Sequence, residues 1–124
     1  MSNSGLIYRF PRDMLSRRFA LIDGDQFAIP SNYLISKKLF DGVYIFCGKS
    51  NKSSYNSAYH IIKNGWQAKE SADHTMSWWC GKMSQEWKIL DAQIRIFSRD
   101  RAFENIMRLL QEDSIDAKWR QKLP

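Results

Sequence analysis

Hydrophobic and polar positions along this chain follow two rhythms, short apolar runs and helical stripes, and they take turns. Residues 19–22 form a brief apolar run that stops at a carboxylate and reads as a buried strand. Pro30-Ser31 suits a helix start. Residues 31–40 then place Tyr33, Leu34, Lys37 and Lys38 at helical spacing, Leu39-Phe40 closes the segment, and Asp41-Gly42 signals a turn. The run 43–47 is apolar throughout up to Gly48, as in a strand covered on both faces. Tyr55, Ala58, Tyr59 and Ile62 recur at i, i+3, i+4 and i+7, which predicts an amphipathic helix ended by Asn64-Gly65. Residues 66–68 read as a weak strand. Ser71 is placed to cap a helix over 72–87, with Met76, Trp79, Cys80, Met83 and Trp87 as its stripe. Gly81 costs that helix about 1 kcal/mol relative to alanine, which points to close packing there. Residues 94–97 are the last strong strand, followed by a helix with Phe103, Ile106, Met107 and Leu110 on one face. The tail, 113–124, reads as a short basic helix anchored by Trp119.

Strand and helix thus alternate about four times. This predicts an α/β fold: a three-layer α/β/α sandwich around a mainly parallel sheet of four to five strands, with helices on both faces. The 124 residues fit one domain. Residues 1–17, with Arg9, Arg12 and Arg17, form a basic arm, and 18–124 form the domain.

Composition narrows the setting. Apolar residues make up 44% of the chain and charged residues 26%, ordinary values for a globular protein. No apolar run approaches the ~20 residues that cross a bilayer. The first residues lack the apolar stretch of a secretory signal, so a cytoplasmic protein is expected. Cys47 and Cys80 lie in apolar stretches and read as reduced core residues. With His60 and His74 they lack zinc-site spacing. The loop 48–54 departs from the phosphate-binding loop pattern, which excludes that nucleotide site. The net charge of +6 suits a polyanion, although charge alone also describes a merely soluble basic domain.

The acidic residues change the picture. In parallel sheets, sites form beyond the carboxyl ends of the strands. Asp23 and Asp25 follow the first strand, Asp73 opens a helix, and Asp100 follows the last strong strand. Taken singly, Asp25 reads as a turn residue, Asp73 as a helix-dipole charge and Asp100 as a cap. Taken together they gather at one sheet edge, where their repulsion calls for a cation. Hard oxygen ligands suit Mg²⁺ or Mn²⁺. Glu104, one turn into the last helix, is a further ligand or water-orienting candidate, or a solvated charge; Glu70 ranks below it. Ser98 is placed to orient a carboxylate or to close a turn. His74 reads as a polar contact. Lys49, Lys52, Lys69, Arg99 and Arg101 surround the edge as candidate phosphate contacts. Trp66, Trp78 and Tyr55 can stack on bases or pack in the core.

Four pieces of the chain resemble the PIN-like nuclease superfamily, including its NYN branch. They are IDGDQ (22–26), VYIFCG (43–48), KESADHTMSWWCGKM (69–83) and IFSRDRAFENIMRLL (96–110), in that order. The resemblance implies a PIN-like fold and a metal-dependent ribonuclease. It carries Asp23, Asp73 and Asp100 over as Mg²⁺ or Mn²⁺ ligands, with Asp25 as a further site residue. Where the family places another aspartate after the phenylalanine of its last motif, this chain has Glu104. The expected mechanism is in-line hydrolysis of RNA, with Asp25 or Glu104 orienting the water. Expected partners are RNA, an inhibitory or regulatory protein and a second copy of the chain, with no membrane. The alternative is a non-catalytic PIN-like module that binds RNA or protein. A third reading, from the Asp-x-Asp motif, is a haloacid-dehalogenase-type phosphatase with Asp23 as nucleophile and Asp25 as acid/base.

Overall fold

The computed structural model describes residues 17–32, 35, 39–51, 53–65 and 71–124. They build a five-stranded, all-parallel sheet and two helices. In chain order these are β1 (Arg18–Asp23), β2 (Gly42–Cys47), β3 (His60–Lys63), α1 (Ser71–Leu90), β4 (Gln93–Phe97), α2 (Phe103–Glu112) and β5 (Asp116–Arg120). The sheet order is β3-β2-β1-β4-β5, with β1 in the middle. From β1 the chain steps outward to β2 and β3, then α1 returns it across the sheet to β4. The order therefore reverses beside β1.

The side chains of the central strands alternate between two cores. Leu21, Phe46, Ile94 and Ile96 meet α1 and α2 through Met76, Cys80, Trp87, Phe103, Ile106 and Leu110. Ala20, Ile22, Val43, Ile45 and Phe97 form the other core with Phe27, Ile29, Ile35 and Tyr59. Both described helices thus lie on one face. Right-handed crossovers give this division, because the outward and returning connections fall on opposite faces. The second face is covered by the segments that join β1 to β2 and β2 to β3. Of residues 31–40, Ser31, Asn32 and Leu39 lie in turns, Ile35 is buried and irregular, and the rest fall outside the described residues.

Three further expectations are corrected. The helix over 55–62 is instead a turn followed by β3. Tyr55 and Tyr59 reach the second core from a loop, and residues 60–63 pair in parallel with β2, from Tyr44↔His60 to Cys47↔Lys63. The helix in the tail is β5, which pairs with β4 from Gln93↔Asp116 to Phe97↔Arg120; Trp119 does anchor it against the first core. Gly81 is not tightly packed, since a Cβ there would meet nothing within 4 Å. The weak strand at 66–68 and most of the basic arm lie outside the described residues. No described helix is long and apolar enough to cross a membrane. Cys47 and Cys80 are buried free thiols, and burial pushes the Cys80 thiol up to about 12.

Candidate functional site

Because every strand is parallel, all five carboxyl ends share one edge, and both helices begin there. The centre of that edge is where the strand order reverses, between β1 and β4. Asp23, the last residue of β1, lies at this point on the helix side and is 2% exposed. Its Oδ2 accepts a hydrogen bond from Ser98 Oγ at 3.0 Å, and its Oδ1 accepts one from the Asp25 N–H at 3.2 Å. Ser98 is fully buried just beyond β4. Its Oγ also accepts the Asp100 N–H at 3.0 Å, so one hydroxyl ties the end of β1 to the turn that enters α2. The Asp100 carboxylate faces back into that turn, where its Oδ1 accepts the Ala102 N–H at 2.9 Å.

Burial is the main cause that raises the Asp23 carboxyl, to about 6; the charges of Asp25 and Asp100 add to it, and the hydrogen bonds from Ser98 and the Asp25 N–H oppose it. Among the described residues, no lysine or arginine pairs with Asp23, Asp25 or Asp100. A buried carboxylate beside two others, without a paired cation, is costly when ionised.

Asp25 is exposed and does structural work. Its Oδ2 accepts the Gly48 N–H at 2.9 Å and its Oδ1 accepts Asn51 Nδ2 at 2.9 Å. It thereby holds the loop after β2 against the loop after β1. The intervening Gly24 is required by space, because a Cβ there would lie 2.6 Å from Ile45 Cγ2, 3.0 Å from Tyr55 Oη and 3.2 Å from the Phe46 carbonyl oxygen.

The remaining candidates spread outward. Asp73 is half-buried in the first turn of α1, at the same sheet edge. Glu104 faces two guanidinium groups, Arg101 at 3.6 Å and Arg108 at 3.5 Å. Lys49, Arg99 and Arg101 are exposed. Arg99 lies over the Phe27 ring and Arg101 over the Trp119 ring. Lys52, Lys69 and Glu70 lie outside the described residues. His74 is exposed on α1. Among the described residues, no group of three or more histidine, cysteine or acidic side chains is arranged to hold a metal ion.

Two contributors were not foreseen from the sequence: Asn51 and Lys63, whose Nζ donates to the Asn51 carbonyl oxygen at 2.6 Å. The one signal for Asn51 was a polar Gly-Lys-Ser-Asn-Lys stretch directly after a buried strand. No family model matches this sequence, and comparison with curated proteins and with solved structures finds no significant match.

Proposed function

We propose that this chain is a metal-dependent ribonuclease of PIN-like type, with its centre at the carboxyl ends of β1 and β4. The observation that carries the reading is Asp23: buried, coupled to Asp25 and Asp100, and unpaired by any described lysine or arginine at the point where the sheet order reverses. The donor set fits a hard divalent cation. Mg²⁺ commonly uses one or two carboxylates and completes its shell with water and substrate phosphate. Asp23 and Asp100 would hold the ion, with Asp73 as the third residue from α1. Bound there, Mg²⁺ or Mn²⁺ would neutralise the carboxylates, polarise a phosphoryl oxygen and acidify a water.

The chain's own residues supply the positioning. Ser98 fixes the rotamer of Asp23 and the turn carrying Asp100. Asp25 fixes the loop that presents Lys49. Lys49 and Arg99 offer exposed cations for the phosphates of the strand being cut. Glu104, held between Arg101 and Arg108, shapes the charge at the start of α2.

The test is cleavage of a labelled single-stranded RNA with Mg²⁺ or Mn²⁺ and with EDTA. Wild type is expected to cut only with the metal, and Asp23→Asn or Asp100→Asn to lose activity by on the order of a hundredfold or more. Full activity in either variant refutes the site. A second reading, a non-catalytic RNA-binding module, is favoured by the lack of a three-ligand group among the described residues. RNA binding without cutting in any metal would select it.

A further inference from the structure

One exposed apolar side chain needs no explanation; the surroundings of Trp78 on α1 do. Trp78 is 58% exposed, while Met76 and Trp79 beside it pack toward the sheet. Lys82 Nζ sits 4.9 Å from the Trp78 ring centroid, which fixes a cation against the indole. Trp78 also borders a cavity of about 440 Å³ whose described lining is Ile62, Lys63, Asn64, His74, Thr75 and Trp78 itself. No carboxylate is among those residues.

Asn64 adds an independent observation. It is 8% exposed, and its Nδ2 donates to Thr75 Oγ1 at 3.0 Å. Its Oδ1 is buried with no hydrogen-bond donor among the described residues. Buried amide oxygens are almost always partnered, so this one points to a group beyond the described residues. Lys63 connects the cavity to the carboxylates: its Nζ bonds the Asn51 carbonyl oxygen, and the Asn51 amide bonds Asp25.

We propose that this cavity is a nucleobase subsite for single-stranded RNA. A base stacks on Trp78 beside Asn64, while Lys63 and Lys82 draw in the flanking phosphates. The inference deepens the ribonuclease reading and rests on it for the choice of polymer. An aromatic platform among cations, with no acid in the described lining, is the chemistry that sequence-tolerant single-strand binding uses.

The experiment measures binding of a short fluorescein-labelled oligoadenylate to the full chain by anisotropy, in EDTA at fixed salt. Trp78→Ala is expected to weaken binding by about tenfold or more. Trp78→Phe is expected to recover most of the affinity by restoring a ring face. A duplex of the same sequence is expected to compete poorly, because its bases are already stacked. Leu109→Ala, at an exposed position on α2, is expected to bind as wild type does.

Equal affinity of Trp78→Ala and wild type overturns the subsite, even if the chain cuts RNA. A Trp78→Phe variant as weak as Trp78→Ala overturns the stacking. Affinity lost in Trp78→Ala from a chain that cuts no RNA in Mg²⁺ or Mn²⁺ supports the subsite and overturns the nuclease.

Discussion

Gly24 separates two carboxylates because the space beside it is already taken. Its N–H donates to the Phe46 carbonyl oxygen at 2.8 Å, which brings the turn after β1 hard against β2. An alanine methyl would fall within 2.6 Å of Ile45 Cγ2 and 3.2 Å of the Phe46 carbonyl oxygen. One of these atoms belongs to a fully buried side chain and the other to the backbone of a paired strand, so neither yields cheaply. Gly24→Ala is therefore expected to destabilise the fold by about 1–3 kcal/mol through overpacking. Urea unfolding should show a lower midpoint with an unchanged slope. An unchanged midpoint would mean that the turn moves freely and that Asp25 is not held in register with the loop after β2.

Among the elements, the connection that matters most is between β1, β4 and α2, and it passes through Ser98. Its hydroxyl donates to Asp23 and accepts from the Asp100 N–H, while its own N–H donates to the Arg120 carbonyl oxygen at the end of β5. Ser98→Ala leaves the Asp100 N–H and one Asp23 oxygen without a partner, at a cost of about 1–3 kcal/mol. The Ser98 bond lowers the Asp23 carboxyl, so the variant should also titrate that group at higher pH. NMR titration of the carboxyl carbon would read this directly, and an unshifted Asp23 would refute the role given to Ser98. The legibility of these elements divides along the same lines. The strands β1 and β2 were readable because both of their faces are largely buried, which leaves unbroken apolar runs, and β4 was readable from Ile94, Ile96 and Phe97 around Arg95. The two edge strands were misread. In β3 most residues are exposed, and the tyrosines ahead of it mimic a helical stripe; β5 is DAKWR, with charges where a covered strand would be apolar. Their pairing is decided by partners distant in sequence, which no local period reports. The carboxylates at the ends of central strands were legible for the same reason as those strands, and so was the use of Ser98. Asn51 and Lys63 act through loop contacts without periodicity, and stayed hidden.

For the whole molecule, the carboxylate edge sets stability against the proposed function. The Asp23 carboxyl lies at about 6 in the fold against an ordinary 3.8, so the folded chain holds this proton more tightly than the unfolded chain does. Its contribution to stability is thus fully present below about pH 4 and is lost as the pH rises through about 6. At neutral pH the ionised group costs on the order of 3 kcal/mol. Without metal, Asp23→Asn is therefore expected to melt higher than wild type at pH 7, and the gap should close as the pH falls below about 6. Under the proposed function, metal is expected to reverse the comparison. An ion bound by ionised Asp23 stabilises the fold in proportion to its occupancy, so Mn²⁺ should raise the wild-type melting temperature at pH 7, do so less at pH 5, and leave Asp23→Asn nearly unmoved. Melting curves across pH, with and without Mn²⁺, check both halves. A wild type indifferent to Mn²⁺ removes the ion from this edge. A variant no more stable than wild type shows that the charge on Asp23 is already neutralised within the chain. The two expected results together would give the buried carboxylate its reason: a charge that weakens the empty fold and is kept for the cation it binds.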